Sequence, residues 1–567
     1  MQIIKSLLKL VVFICPFFAA AQSTYLPQGD KGYHFVDRLE IKAGTNTDIN
    51  FSTIKPFSRR FIVSQAEYLD SIRTATDSAG IANDGHPRLT ATDEYNLNSF
   101  LMNNTEWVSG SKESFASRKP ILKTFYKDRA NMIQVNAKDF FLAVNPMLNL
   151  QAGKTNGNDE LMFVNSRGIS ARGMIAKKIG FYTSITDNQE RGPAFFQQRV
   201  NNFKGVPGYG FYKTFKGTGY DYFDARGYFT VNAAKYIDIQ FGYDKNFIGN
   251  GNRSLFLSDW GNSYLFLKLN TKIWKFNYQN IFMELMPQFG RAGDTLLDKK
   301  YSAMHHLSMN VTKWLNIGLF EGIVFGRKNQ FEFQYLNPII FYRHIEGTIG
   351  SPDNALAGID FKANVAHSLQ FYGQFLLDEF KLNEVKAGTG WWANKWGLQV
   401  GMKYIDAFKI SNLDLQIESN TVRPFTYSHY NMVANYTHYN QPLAHPLGAN
   451  FQEFVGILRY QPAPRWYINA KGIFYEQGLD SLNGRNFGAN IFRDNTSRSG
   501  DYGYTLAGGR KATCFNTFLQ LSYEVRENLY FDLSSQFRRY TVDQVTTNTS
   551  LITAGIRFNM ARREYDF

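Results

Sequence analysis

The decapeptide Lys395–Tyr404 has the sequence KWGLQVGMKY, and its side chains alternate between two classes. The even-numbered positions are all apolar or aromatic, whereas the odd-numbered positions are lysine, glycine or glutamine. Neighbouring residues of a β-strand point to opposite faces of the sheet, so this pattern predicts a strand with one apolar and one polar face. Its length is also about the 9–11 residues that a tilted strand needs to cross a membrane.

The same alternation recurs in other parts of the chain, namely in Tyr236–Tyr243, Trp274–Tyr278, Leu307–Val311 and Leu529–Phe537. In a soluble sandwich the apolar faces would pack on a second sheet, whereas in a membrane barrel they contact lipid. We favour the barrel because a signal peptide and many strands are also predicted. The length from residue 121 to 567 has room for an even number of about 16–18 strands.

Composition supports this all-β, antiparallel, transmembrane prediction. Aromatic residues make up 16% of the 567 residues, and outer-membrane barrels need many aromatics for their lipid-facing band and its two interfacial girdles. The mean hydropathy of −0.33 is too polar for a bundle of membrane helices. It suits a barrel, in which only every second strand residue faces lipid.

A loose recurrence marks the turns between strands. A short polar turn is followed by an aromatic residue or leucine and then by alternation in Ala234–Ile239, Thr312–Ile317, Pro464–Asn469 and Glu527–Asp532. Short turns on one side and longer loops on the other are typical of membrane barrels, so we expect these aromatics at interfacial depth. The last alternation, Ile552–Met560, predicts a closing strand that ends a few residues before Phe567.

The N-terminus has the features of a cleaved signal peptide over residues 1–21. Lys5 and Lys9 precede the apolar run Leu10–Phe18, and the small residues Ala19–Ala21 predict cleavage that leaves Gln22 as the first mature residue. A membrane anchor is disfavoured because the run is shorter than about 20 apolar residues. A lipoprotein is disfavoured because Ile14, rather than a small residue, precedes Cys15.

The remaining chain divides into two predicted parts. Residues 22–120 are more polar, contain helix-like pieces, and are expected to form a periplasmic or lumen-associated N-terminal region. Residues 121–567 are expected to form the barrel. Removing Lys5 and Lys9 lowers the formal charge from +14 to +12, an excess that suits lipopolysaccharide phosphates or an acidic polysaccharide. Nucleic acid is not an expected partner of an exported chain.

Several segments resemble the capsule-assembly Wzi family as it occurs in Bacteroidetes-type bacteria, where members are labelled gliding-motility-associated proteins of the RemB type. These segments are Tyr33–Ile41, Tyr335–Arg343, Gly350–Asn354, Gln374–Phe380 and Asn435–Asn450. The resemblance covers nearly the whole mature chain. It implies an outer-membrane barrel of about 18 strands with a small helical N-terminal part. It also implies a role in holding capsule or other exopolysaccharide at the cell surface, or in surface motility.

Candidate ligand-binding residues lie in the segment Phe341–Asp360, which we expect to be a loop between two strands. It carries Arg343, His344, Glu346 and Asp360 among glycine and proline. If the loop folds into the lumen, these groups offer hydrogen bonds to sugar hydroxyls, and the arginine offers a planar fork to carboxylates. The alternative, which we favour, is a salt-bridged plug that holds the barrel closed.

A second set of candidates follows in the aromatic-rich segment His429–His445. Tyr436, His438 and His445 suit either a surface on which sugar rings stack or an ordinary packed loop. The histidines are nine and seven residues apart, and this spacing does not indicate a metal site. No cofactor is predicted.

Catalysis is not expected. The sequence has no Gly-x-Ser-x-Gly elbow and no His-Glu-x-x-His motif. His305 and His306 are strand neighbours and should face opposite sides, as should Asp378 and Glu379. We expect the pair Trp391–Trp392 to belong to an interfacial girdle.

Three functions remain open at this point. The first is a non-enzymatic barrel that binds or organises capsular or exopolysaccharide, with outer-membrane lipid and lipopolysaccharide around it. The second is an accessory barrel of gliding motility or secretion that acts through other outer-membrane or motility proteins. The third is a pore for small solutes.

Overall fold

The computed structural model describes residues 23–44, 51–78, 89–287, 296–339, 341–350 and 353–567. The predicted signal peptide and its cleavage site before Gln22 lie outside the described residues. Among the described residues, no helix is long and apolar enough to cross a membrane.

Within the described residues, eighteen antiparallel strands close into one barrel, as the alternation and the family resemblance predicted. We number them in chain order: Phe140–Thr155 (β1), Asn158–Ile175 (β2), Ile179–Arg191 (β3), Gly219–Ala234 (β4), Ile237–Asp244 (β5), Tyr264–Ile273 (β6), Phe276–Leu285 (β7), Lys300–Asn310 (β8), Leu315–Phe325 (β9), Asn354–Val365 (β10), Leu369–Glu379 (β11), Lys395–Tyr404 (β12), Leu413–Val422 (β13), Phe451–Ala463 (β14), Trp466–Leu479 (β15), Arg510–Arg526 (β16), Leu529–Val542 (β17) and Val545–Phe558 (β18). Strand β18 closes the barrel by pairing with β1, from Leu551 opposite Thr155 to Phe558 opposite Leu148.

The two faces of each strand follow the predicted alternation. In β12, Leu398 and Val400 are exposed on the outer wall, by 40% and 46%, whereas Lys395 and Gln399 are buried in the lumen. An apolar outer wall around a polar interior is the arrangement that a barrel needs in a membrane.

The barrel has a short-turn end and a long-loop end. Most connections at the short-turn end are tight, such as residues 235–236, 464–465 and 527–528. The long-loop end carries residues 192–218, 245–263, 326–353, 380–394, 423–450 and 480–509. In outer-membrane barrels the short turns face the periplasm and the long loops face the outside.

Aromatic residues follow the short turns, as the turn recurrence predicted. Tyr236, Trp314 and Trp466 are 44%, 47% and 43% exposed on the outer wall, beside the turns that they follow. Amphipathic rings at this height suit the boundary between lipid and water, where outer-membrane barrels carry their aromatic girdles.

The helices Gly32–Ala43 (α1), Arg59–Ser78 (α2) and Ala91–Met102 (α3) fill the short-turn end, and we call them the N-terminal plug. An apolar core joins them, with the rings of Phe35 and Phe100 5.3 Å apart. Helix α3 begins with a capping box, in which the Thr90 hydroxyl accepts from the Asp93 backbone N–H and the Asp93 carboxylate accepts from the Thr90 backbone N–H.

Buried ion pairs attach the N-terminal plug to the barrel. Arg38 of α1 contacts Asp93 of α3, Asp406 of a short turn and Asp414 of β13. The Lys31 ammonium lies 2.7 Å from Glu524, at the short-turn end of β16. Because these buried charges compensate one another across the junction, the plug and the wall form one electrostatic unit.

Two long loops fold inward and fill the opposite end, and we call residues 245–263 and 423–450 the loop plug. Their apolar residues pack on inward-facing side chains of the wall: Phe256 stacks on Phe320 of β9 with ring centroids 4.5 Å apart. Tyr427 and Tyr436 stack on each other at 5.5 Å. The lumen is therefore occupied from both ends.

The residues after β18 turn back into the lumen, and we call residues 559–567 the C-terminal tail. Phe567 is buried near the loop plug, where Trp260 lies 6.0 Å from its ring. Arg199, on helix Ala194–Phe203 (α4), lies over the same ring at 4.9 Å. The closing strand thus ends at Phe558, as expected before Phe567, and the last residues fill space inside the barrel.

Candidate functional site

The loop that carries Arg343, His344 and Glu346, considered above either as a luminal ligand surface or as a salt-bridged plug, lies outside the lumen. Residues 326–339 and 341–350 fold over the outer wall, on strands β7 to β9. The ring of Tyr342, on helix Tyr342–Ile349 (α5), lies 4.0 Å from that of His305, and the Tyr278 hydroxyl donates to the Pro338 carbonyl. The wall side chains in these contacts, Tyr278 and His305, project outward, because alternate strand residues such as His306 project inward.

The candidate residues of α5, Arg343, His344 and Glu346, do not converge on a pocket. Arg343 is largely exposed and pairs with Glu346 at 2.6 Å, one helical turn away. His344 is exposed beside them. Burial raises the pKa of Glu346, which Arg343 partly opposes. Because the Arg343 end of the pair is exposed to solvent, the pair contributes little to stability.

Asp360 lies in a strand rather than in a loop, because β10 begins at Asn354. Its carboxylate points into the lumen and lies 2.7 Å from Nε2 of His306, with both side chains fully buried. The Asp360–His306 pair and the Arg343–Glu346 pair therefore lie on opposite sides of the wall. His305 and His306 face opposite sides, as the strand geometry predicted.

Asp378 and Glu379 do not point apart as expected. The register of β11 shifts between Leu377 and Glu379, which is a β-bulge, and a bulge realigns neighbouring side chains. Both carboxylates consequently reach the Lys395 ammonium, at 3.5 and 3.1 Å.

Tyr436 and His438 belong to the packed interior of the loop plug. The Tyr436 hydroxyl donates to the Phe256 carbonyl at 2.7 Å. Nε2 of His438 donates to the Ser263 carbonyl at 3.0 Å, while its Nδ1 accepts from the Met286 N–H at 3.1 Å. A histidine that donates on one nitrogen and accepts on the other is neutral, and burial lowers the pKa of His438 to about 4. Of the two interpretations of this segment, the geometry favours the packed loop.

His445 joins the loop plug to the barrel wall. Its Nε2 lies 2.7 Å from the Glu453 carboxylate of β14, and its Nδ1 accepts from the Leu447 N–H at 3.2 Å. Burial lowers the pKa of this histidine, although Glu453 opposes the shift. The side chain is fully buried and so is not offered to an external ligand.

The C-terminal tail completes a luminal network that the sequence analysis did not identify. Arg253 of the loop plug contacts both Glu453 and Asp566, each at 3.3 Å. Lys471 of β15 contacts Asp566 at 2.9 Å. Arg563 contacts Glu190 of β3 at 2.8 Å. The only sequence signal for this network was the charge-rich terminus RREYDF, which has no periodicity to indicate its partners.

The surface available to a large ligand lies at the long-loop end, where three loops meet. Trp392 is part-buried there, and the Arg498 guanidinium lies 3.9 Å from the centre of its ring. Arg498 also pairs with Asp501 at 2.8 Å, and the Trp392 backbone N–H donates to the Asp501 backbone carbonyl at 2.9 Å. The expected girdle position of Trp391–Trp392 is therefore wrong, since these residues belong to the loop cluster.

Neighbouring aromatics extend this cluster. Tyr430 and Tyr502 are 48% and 54% exposed. The Asn495 N–H donates to the His429 carbonyl, which holds Tyr430 near the loop of Arg498. We call Trp391, Trp392, Tyr430, Arg498 and Tyr502 the loop surface. Among the described residues there is no cluster of histidine, cysteine, aspartate or glutamate that would hold a metal ion.

Comparisons with known proteins agree with the resemblance predicted from the sequence. The family model described as capsule assembly protein Wzi matches residues 221–480. This range runs from β4 to just after β15 and includes the whole loop plug. No curated protein matches the chain.

Solved structures give a further match. Wzi of Escherichia coli, described as an outer membrane protein involved in group 1 capsule assembly and a carbohydrate binding β-barrel, is similar at a TM-score of 0.56 and 12% identity, covering 95% of this chain and 100% of that one. OprD of Pseudomonas aeruginosa is similar at a TM-score of 0.41 and 11% identity, covering 74% of this chain and 94% of that one. The comparison of folds rests on the match to the Wzi structure. Residues 221–480 match the Wzi capsule assembly family, and the eighteen-stranded barrel that contains them has the fold of a Wzi protein.

Proposed function

We propose that this chain is a non-enzymatic outer-membrane barrel that binds or organises capsular or other exopolysaccharide at the cell surface. The observation that carries the proposal is the filled lumen. Because the N-terminal plug and the loop plug occupy both ends, a polymer meets the protein at the outer loops rather than in a channel. The match of residues 221–480 to the capsule assembly family supports the same conclusion.

The loop surface has the chemistry that a polysaccharide requires. The part-exposed ring of Trp391 and the exposed rings of Tyr430 and Tyr502 offer apolar faces to the C–H side of a sugar, and Trp392 supports the Arg498 guanidinium on its own ring. Arg498, held in place by Asp501, offers a planar set of donors to hydroxyls or carboxylates. A rigid aromatic next to a fixed arginine is a common combination at binding hot spots.

The charge of the long-loop end favours an acidic polymer. Loop 192–218 contains Arg199, Lys204, Lys213 and Lys216 and has no aspartate or glutamate. The three lysines are exposed. Cations spread over one surface attract a polyanion and raise its local concentration.

A solute pore is disfavoured by the same filled lumen. A role in gliding motility or secretion through protein partners stays a prediction, to which the described contacts add nothing. Lipopolysaccharide is the expected neighbour of the outer wall, again as a prediction from the barrel's position in the outer membrane.

A deletion strain examined for capsule retention and colony spreading tests the proposal. We expect polysaccharide to appear in the medium while total polysaccharide stays constant. Complementation with Trp392→Ala plus Tyr502→Ala should restore the barrel to the membrane but not the retention. Trp314→Ala, which removes an exposed aromatic at the opposite end, is the matched control and should restore both. A deletion strain that keeps its capsule would contradict the proposal, and a defect in spreading alone would favour the motility hypothesis.

A further inference from the structure

A groove of about 310 Å³ lies at the rim of the short-turn end. Its walls are helix α3 of the N-terminal plug, residues of the segment 117–129, and the chain reversals at Arg465 and Arg526. Trp466, which follows Arg465 and belongs to the exposed aromatics of this rim, has its ring centroid 4.7 Å from that of Tyr523. The groove therefore lies at the height where lipid meets water on the periplasmic side.

The lining of this groove is cationic. Four of its residues carry a positive charge and have no ion-pair partner among the described residues, namely Lys119, Arg129, Arg465 and Arg526. All four are exposed, so a ligand can reach them. The Arg526 guanidinium lies 4.3 Å from the centre of the Tyr126 ring, which does not neutralise its charge. The described lining contains one carboxylate, Glu527, which already contacts the Lys31 ammonium at 2.6 Å.

Carboxylates near the groove do not cancel this charge. Glu524 contacts the same Lys31 ammonium at 2.7 Å. Burial raises the pKa of Asp128, while backbone hydrogen bonds and the nearby Arg129 lower it, so Asp128 compensates this arginine in part. With Lys31, Glu524 and Asp128 added to the lining residues, there are five cations and three carboxylates. The groove therefore keeps an excess of positive charge.

Residues 111–130, which we call the basic segment, extend the positive charge beyond the groove. Their sequence, SKESFASRKPILKTFYKDRA, contains six lysine or arginine residues and two acidic residues. All six cations are exposed. Clusters of about four to eight lysine and arginine residues beside a membrane attract anionic lipid headgroups. The charge of the basic segment therefore suits a partner that lies in the membrane surface.

An apolar turn projects from the basic segment. Ile121 and Leu122 are 48% and 80% exposed, and Ile121 also lines the groove. The turn is fixed by two hydrogen bonds, because the backbone N–H groups of Ile121 and Phe125 each donate to the carbonyl of the other residue at 2.9 Å. Exposed apolar side chains beside exposed cations are typical of segments that lie at the boundary between headgroups and acyl chains.

The basic segment is attached to the lipid-facing side of the wall. The ring of Tyr126 stacks on that of Phe558, with centroids 6.5 Å apart. Phe558 ends β18 and shares the outward face of this strand with Ile552, which is 60% exposed. The groove and the apolar turn beside it are therefore within reach of the lipids of the periplasmic leaflet.

We propose that this groove binds an anionic phospholipid of the periplasmic leaflet. Arg465, Arg526 and Lys119 contact the headgroup phosphate, and the acyl chains lie along Ile121 and Leu122. Arginine provides a fork that matches phosphate oxygens, and lysine adds a point charge. The excess of cations favours a headgroup with a net negative charge over a zwitterionic one. This inference does not depend on the proposed role of the loop surface, which lies at the other end of the barrel.

Native mass spectrometry of the purified full-length barrel in detergent micelles at pH 7 tests the inference, with phosphatidylglycerol, phosphatidylcholine of the same acyl chains and inorganic phosphate as probes. We expect the first bound phosphatidylglycerol to bind at least fivefold tighter than phosphatidylcholine. A tenfold molar excess of inorganic phosphate should displace less than half of it. The double variants Arg465→Gln plus Arg526→Gln and Lys119→Gln plus Arg129→Gln should each weaken phosphatidylglycerol binding at least fivefold. The matched control, which removes two exposed cations at the long-loop end and should bind as the wild type does, is Lys213→Gln plus Lys216→Gln.

Each other outcome counts against the site. Equal binding of the two lipids would show that the positive charge does not select the ligand. Displacement of more than half by phosphate would replace the lipid by a free anion. Binding that both double variants keep would place the lipid elsewhere, and a loss in the control would indicate a general effect of net charge. The resistance of each barrel to unfolding by heat in detergent shows that the variants are folded. Because one double variant changes the wall and the other the basic segment, a misfolded variant leaves the other as the test.

Discussion

The Arg253 guanidinium lies 3.3 Å from the Asp566 carboxylate, and this contact joins two segments that are 313 residues apart in the sequence. Arg253 belongs to the loop plug and Asp566 to the C-terminal tail. Lys471 of the barrel wall reaches the same carboxylate, so the plug, tail and wall meet at one group. The filled lumen, on which the proposed function rests, is held at this point by charge as well as by apolar packing.

Asp566→Ala should destabilise the barrel because it removes a carboxylate that Arg253 and Lys471 share, which leaves each cation with one other partner, Glu453 and Glu564 respectively. Because each cation keeps one partner, the expected cost is about 1–2 kcal/mol, below the roughly 3–5 kcal/mol of leaving a buried charge unpaired. The measurement is the free energy of unfolding from a denaturant titration in detergent micelles. Asp543→Ala removes the partner of the exposed Arg510 and is the matched control, for which no measurable change is expected. Equal stabilities of the two variants would show that the Asp566 contacts add nothing.

His438 should make the loop plug sensitive to acid. The ordinary pKa of histidine is 6.5, and burial lowers that of His438 to about 4. Between these two values the unfolded chain binds a proton that the folded chain does not, so the stabilising contribution falls as the pH falls from about 6.5 to about 4. The loss is roughly 3 kcal/mol.

His438→Gln isolates this contribution, since the variant cannot bind the proton. Denaturant titrations of wild type and variant at pH 7 and pH 4.5 should show a smaller pH dependence for the variant. His344→Gln, in the exposed helix α5, should follow the wild type. A variant with the same pH dependence as wild type would show that His438 does not titrate in this range.

Val400→Arg should destabilise the barrel in a membrane, because Val400 lies near the middle of β12 on the outer wall. An arginine at the bilayer midplane costs about 2–4 kcal/mol in an outer-membrane barrel. Val385→Arg is the matched control: Val385 is 45% exposed, close to the 46% of Val400, but lies in the loop helix Leu382–Ala387. Folding yield into lipid vesicles should fall for the first variant alone. Equal yields would mean that this part of the wall does not contact lipid.

The barrel should not conduct ions in planar bilayers, because the N-terminal plug and the loop plug each close one end. A variant that lacks either plug should still be closed by the other. Removal of residues 23–110 together with residues 247–261 and 425–449, which takes out both plugs, should give stepwise conductance. Steps recorded with the intact protein would contradict the closed lumen and restore the pore hypothesis.

The alternation of the strands was predictable because it is local. Lys395–Tyr404 has its apolar side chains on the outer wall and its polar side chains in the lumen, as its period of two requires. The aromatics after short turns, such as Trp314 and Trp466, lie where a membrane interface would place them. The resemblance of Asn435–Asn450 to the Wzi family agrees with the family match over residues 221–480, which contain this segment.

The candidate site residues were less predictable because they lie in loops or next to them. A strand boundary moved Asp360 from an expected loop into β10, and the side chain then had to face the lumen. Tyr436 and His438 had the composition of a sugar-binding surface, yet the same residue types serve equally well in a packed plug. Composition does not distinguish these outcomes, because exposure depends on which other segment covers the loop.

The sequence by itself determined the barrel, the two faces of its strands and the short-turn end, since these follow from the geometry of neighbouring residues. Only the tertiary structure decided that residues 326–339 and 341–350 cover the outer wall and that the C-terminal tail enters the lumen. Those outcomes depend on contacts between segments hundreds of residues apart, such as Arg253 with Asp566, and no local pattern encodes the partner.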